Sequence, residues 1–169
     1  MNAKPVYHIT VTAVDGSRVR EAPVLKKAIR AALRRHRVTV ARLSIALVDD
    51  QLIARLNRKY LGHRGPTDVL SFDLRDRQAE KGTVEGELVI SVDTAKQEAK
   101  RRGHSMGIEL ALYAVHGVLH LLEYDDVSRR SAMRMHRMED AILTSAGIRA
   151  VGGIKPEPVR SPRIRGKRR

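Results

Sequence analysis

The chain has 169 residues, a mass of 18.9 kDa and no cysteine. That length suits one domain with one core, and the missing thiols exclude a disulfide scaffold, thiolate zinc ligands and a cysteine nucleophile. Lysine and arginine number 33 against 19 acidic residues, a net charge of +14 that points to an anionic partner, nucleic acid ahead of an acidic membrane. No apolar run reaches the roughly 18 residues of a membrane span, and the opening Met1 to Pro5 lacks the apolar centre of a secretory signal. A cytoplasmic protein with no membrane partner is therefore expected. With four tyrosines, one phenylalanine and no tryptophan, base stacking on an aromatic sheet is not expected to be the main mode of RNA binding.

In chain order, Val6 to Val14 alternates and is β-branched, which predicts a strand. Pro23 opens a helical pattern with Val24, Leu25, Ala28, Ile29, Ala32 and Leu33 on one face. Leu43 to Val48 predicts a second strand. Asp49 or Asp50 can cap a helix carrying Leu52, Ile53, Leu56 and Tyr60. After a loop from Gly62 to Pro66, Val69 to Leu74 and Glu87 to Ser91 predict two more strands, joined by a polar connection through Gly82. Asp93 is the expected cap of a helix ending near Gly103, Ser105 of a long apolar helix to about Leu122, and Ser128 of a final helix stopped by Gly147. The order β-α-β-α-β-β-α-α-α predicts an α+β single domain, a small mixed four-stranded sheet covered by about five helices. Residues 149–169 hold eight basic side chains against Glu157 alone, with three prolines and three glycines. With little to bury, they read as a disordered basic tail able to contact RNA phosphates, beyond a folded domain over 1–148.

The segment richest in chemistry is His116-Gly117-Val118-Leu119-His120-Leu121-Leu122-Glu123-Tyr124-Asp125-Asp126. Histidines four apart on a helix share one face, where they can share a metal. Two imidazoles on an otherwise apolar helix are costly unless hydrogen-bonded or ligated. Asp126, past the expected helix end, can turn back as a third ligand and leave a position open for water. Glu123 would share the ligand face only if the helix continued. The ligand spacing is that of the HExxHxxGxxH metalloproteases, but Gly117 stands where their general base would be.

These residues resemble the YbeY family of bacterial rRNA-maturation endoribonucleases, whose HGxLHLxGYDH motif has a variant here. Pro66-Thr67-Asp68-Val69-Leu70-Ser71-Phe72 matches the family's PTDVLSF segment, and Gly86-Glu87-Leu88-Val89-Ile90-Ser91 resembles its GDIxIS strand. Glu109 and the run Met138-Glu139-Asp140-Ala141-Ile142-Leu143 also fit. The resemblance runs from about Asp49 to Gly147. It implies that residues 1–148 form a metal-dependent RNase domain. It also implies one zinc ion on His116, His120 and Asp126, although the carboxylate also suits another divalent metal. Asp126 replaces a family histidine, and Glu123 a family glycine whose backbone takes positive φ. Leu61 replaces an arginine that follows the family's tyrosine, here Tyr60. Arg58 or Arg64 can reach the same cleft, or be surface charge. Thr67 and Ser71 can hydrogen-bond substrate, or serve turn and strand packing. Asp68, Glu109 and Asp125 are candidate general bases by nearness to the motifs.

The implied activity is metal-dependent endonucleolytic cleavage of single-stranded RNA, in 3′-end maturation of small-subunit rRNA and in ribosome quality control. The implied partners are rRNA, the small ribosomal subunit and the ribosome-associated GTPase Era. A non-catalytic ribosome-assembly factor with a structural metal is the alternative, and a zinc peptidase the third reading. His8, His36, His63, His104 and His136 are expected to be structural or surface groups.

Overall fold

The computed structural model describes residues 4–148 and 163–165. Strands β1 (Val6–Ala13), β2 (Val40–Val48), β3 (Val69–Asp73) and β4 (Thr83–Ser91) alternate with helices α1 (Ala22–Arg35) and α2 (Asp50–Leu61), and α3 (Val92–Arg102), α4 (Met106–Leu121) and α5 (Arg129–Ser145) follow. The strands lie in the order β1-β2-β4-β3. β1, β2 and β4 run parallel, and β3 is antiparallel to β4 with Leu70 opposite Val89. The expected mixed four-stranded sheet and five helices are present. A short β5 (Arg163–Arg165) runs parallel beside β3. The remainder of the tail expected over 149–169 lies outside the described residues.

Strand alternation gives the sheet two apolar faces. Leu43, Ile45, Leu47, Leu88 and Ile90 face the main core with α1, α4 and α5, while Val48, Leu70 and Val89 meet Ile53 of α2 in a smaller one. The central helix is α4, where every residue from Glu109 to Leu121 is buried, as expected of a helix apolar on all sides. Among the described residues no helix is long and apolar enough to cross a membrane.

Three boundaries differ from expectation for identifiable reasons. Ser91 rather than Asp93 caps α3, because α3 follows β4 without a loop; the Ser91 Oγ accepts the Thr94 N–H at 3.0 Å. Asp93 instead takes the Asp50 backbone N–H at 3.1 Å, joining the N-termini of α2 and α3. Strand β4 starts at Thr83, four residues earlier than expected. Gly86 interrupts the apolar pattern only because a side chain there would lie 2.7 Å from both Leu121 Cδ1 and the Phe72 carbonyl. Likewise β2 starts at Val40, its outward-facing Arg42 having masked the alternation.

Candidate metal centre

The end of α4 sets the geometry of the site. Leu122 is the C-cap and Glu123 follows with φ +71°. The Glu123 N–H bonds the His120 carbonyl and the Tyr124 N–H bonds the Leu119 carbonyl, each at 3.0 Å. This is the Schellman pattern, which stops a helix and reverses the chain. Arg75 reinforces it by donating to the Leu121 carbonyl and to Asp73, both at 2.9 Å, a favourable place for a cation at a helix C-terminus. The positive φ expected at position 123 is therefore present, and it turns Glu123 out to solvent, 3.7 Å from Arg75. Glu123 is not a member of the ligand cluster, because the helix does not continue. Glu123→Gly is expected to stabilise the fold by about 1 kcal/mol, since glycine tolerates this backbone and an exposed ion pair contributes little. Urea unfolding checks it, and a destabilised variant would contradict it.

The reversal returns Asp126 to the two imidazoles. His116, His120 and Asp126 each offer a ligand atom, and these atoms lie within 4.8 Å of one another, His116 and His120 buried and Asp126 half-buried. His116 Nδ1 donates to Glu139 Oε1 at 2.7 Å, and His120 Nδ1 donates to the Tyr124 carbonyl at 3.0 Å. A carboxylate and a carbonyl only accept, so both protons sit on Nδ1 and both Nε2 atoms present lone pairs. Those two Nε2 atoms are 3.0 Å apart. Facing lone pairs repel unless a cation or an extra proton lies between them. Two ligands of a tetrahedral zinc stand about 3.3 Å apart, so the residues present fit a divalent ion. Burial raises the Asp126 pKa, and His116 opposes the rise.

Behind the ligands, Glu139 also accepts from His136 Nδ1 at 3.0 Å. Burial pushes its pKa up, but the hydrogen bonds from His116 and His136 outweigh burial and leave it lowered to about 2. Its contribution to stability is therefore complete above the ordinary glutamate range and is lost as pH falls through about 2. Across that window the metal-free protein is expected to lose about 3 kcal/mol more than Glu139→Gln. Urea melts at several acid pH values check this, and parallel curves would contradict it. Glu139, His136 and Tyr124 were not assigned to the site from sequence. The available signal was an acid on the buried stripe of α5, between Met135 and Ile142, with a histidine one turn before it.

The other candidates separate clearly. Asp68 carries an electrostatic interaction with His116, and burial raises its pKa; its Oδ1 accepts the Val69 N–H and the Thr67 hydroxyl. Glu109 is bound to His104 and faces Arg102 at 3.5 Å, two turns before His116 and outside the ligand cluster, so it anchors the start of α4. Asp125 is exposed and held by Ser131, which lowers its pKa, so it steadies the start of α5. Arg58 and Arg64 are exposed and stand outside the ligand cluster. Ser71, expected to be able to reach substrate, is fully buried beneath α4, so packing is its role. A side chain at Gly117 would meet Leu88 Cδ2 at 2.8 Å and Ser71 Oγ at 3.0 Å. Position 117 thus faces the sheet and cannot carry a metalloprotease base.

Comparison with known proteins agrees with this architecture. The model of the family described as Endoribonuclease YbeY matches residues 8–147. An Endoribonuclease YbeY from Moorella thermoacetica is 43% identical over 117 residues, 64% of this chain and 75% of its own. One from Myxococcus xanthus is 40% identical over 145 residues, 83% of this chain and 49% of its own. A solution structure of a Thermotoga maritima protein shares the fold with a TM-score of 0.53 at 19% identity, over 82% of this chain and 91% of that one. A matched region that takes in the imidazole helix, the reversal after it and the helix carrying Glu139 leaves one conclusion: the chain belongs to the YbeY endoribonuclease family.

Proposed function

We propose that this protein is a metal-dependent endoribonuclease that cuts single-stranded RNA, with His116, His120 and Asp126 as the ligands of one divalent ion, zinc in the first instance. The observation that carries the reading is the pair of Nε2 lone pairs 3.0 Å apart, with a half-buried carboxylate beside them. Such an ion supplies Lewis acidity toward water and a phosphoryl oxygen at neutral pH. The chain's own groups do the rest. Glu139 and the Tyr124 carbonyl fix the tautomer and aim of the two imidazoles. The Asp68 carboxylate, facing His116 with a raised pKa, is the acid best suited to take a proton near the reacting phosphate. Thr67 orients that carboxylate, and Arg58 and Arg64 are proposed to hold the RNA backbone where Leu61 cannot.

By family, the proposed cellular substrate is small-subunit rRNA at its 3′ end, with a part in ribosome quality control, the small subunit and the GTPase Era as partners, and a cytoplasmic setting. A non-catalytic assembly factor is the second reading, favoured by Leu61, which packs its apolar side chain beside the α2 core and offers nothing to a phosphate. The test is incubation of purified protein with a labelled single-stranded RNA. Cleavage that stops on chelation and returns with added metal is expected; metal-independent cleavage, or none under any metal, would contradict the reading.

A further inference from the structure

We propose that a groove between the end of α1 and the first half of α5 is a second RNA-docking surface, which binds the phosphate backbone of a single strand outside the metal centre. The groove has a volume of about 690 Å³ and is lined by Arg35, Arg129, Arg130, Arg134 and Arg137, with Met133 and Met138 between them. The helix itself produces this array. Arg130, Arg134 and Arg137 recur at i, i+4 and i+7, so they share one face over about 10 Å. The opposite face, through Met135, Glu139, Ile142 and Leu143, enters the core.

Three features favour a nucleic-acid strand. Among the described residues no acidic side chain lines the groove. A protein surface presents both signs of charge and would leave its own cations unpaired there, whereas a phosphodiester backbone presents one sign. Every cation in the lining is an arginine, whose planar fork matches phosphate oxygens in pairs. The methionines, Met138 with its sulfur 3.1 Å from Arg35 Nε, add an adaptable apolar strip on which bases can rest. The groove also adjoins the metal centre. The Arg134 guanidinium lies 5.1 Å from the centre of the Tyr124 ring. The Tyr124 carbonyl holds His120, and Asp126 follows two residues later. Tyr124 thus touches a groove arginine with its ring and a ligand imidazole with its carbonyl.

Naming RNA rests on the nuclease reading, so the test separates the two. Binding of a labelled single-stranded RNA to the full chain is measured by anisotropy against salt. Wild type is compared with Arg129→Ala/Arg130→Ala/Arg137→Ala and with a charge-matched control, Lys81→Ala/Lys96→Ala/Lys100→Ala, whose sites are exposed and lie elsewhere. Losing three phosphate contacts should weaken binding about tenfold or more near 0.1 M salt and reduce the log–log salt slope by about 2. The control should shift far less. In the metal-loaded enzyme, KM should rise with kcat nearly unchanged. Arg→Lys at the same three sites should restore most of the salt slope. Equal losses in the groove variant and the control would overturn the proposal, as would displacement of RNA by polyglutamate as readily as by unlabelled RNA, which would assign the groove to an acidic protein. If wild type never cleaves RNA but the groove variant still loses binding, the nuclease reading fails and the groove stands.

Discussion

Gly117→Glu is expected to destabilise the fold severely, by about 4–6 kcal/mol. Position 117 lies on the face of α4 that presses on the sheet, and even a methyl group would stand 2.8 Å from Leu88 Cδ2 and 3.0 Å from Ser71 Oγ. Leu88 and Ser71 are fully buried, so neither has solvent to retreat into. Overpacking of this kind costs roughly 1–3 kcal/mol, and an unpaired carboxylate forced into the same place adds roughly 3 kcal/mol or more. Together they approach the whole stability of a typical domain, about 5–15 kcal/mol. Gly117→Ala carries only the packing cost, offset by up to about 1 kcal/mol of helix propensity. The measurement is soluble yield and urea unfolding for both variants. A Gly117→Glu protein as stable as wild type would show that α4 does not lie on the sheet as described, and would reopen the peptidase reading.

His120→Ala is expected to lower RNA cleavage at saturating metal by about 10³-fold, the scale on which loss of a transition-state electrostatic group is felt. His120 is a better probe than His116. Its Nδ1 bonds a carbonyl at the helix end, whereas His116→Ala would remove a partner from the buried Glu139 carboxylate and confound chemistry with stability. Single-turnover cleavage beside circular dichroism separates the two effects. A folded His120→Ala protein that cleaves at the wild-type rate would remove this imidazole from the reaction.

The elements were legible because the patterns that make them are local. The alternation of β1, the apolar stripe of α1 and the capping residues Asp49 and Ser128 all act within a few residues. The imidazole pair was legible for the same reason, since a four-residue spacing on a helix needs no tertiary knowledge. Positive φ at Glu123 was foreseen from a glycine in the family motif, and the structure supplies its cause in the Schellman turn. What could not be read was long-range. Ser71 alternates like any strand residue, and only the arrival of Gly117 encloses it. Glu109 sits beside the motif in sequence, but its partners His104 and Arg102 come from before α4 and hold it away from the ligands. Glu139 is 23 residues beyond His116, and its role exists only once α5 packs against α4. The arginines of α5 gave no local signal of a site, because the groove they line exists only once Arg35 at the end of α1 packs beside them.

The measurement that bears most directly on all of this is the metal content of full-length protein, purified without an affinity tag, beside His120→Ala and Asp126→Ala. One divalent ion per chain in the wild type, lost or sharply reduced in both variants, is the predicted result. A wild type that binds no ion at any supplied concentration, or variants that keep a full complement, would contradict the account.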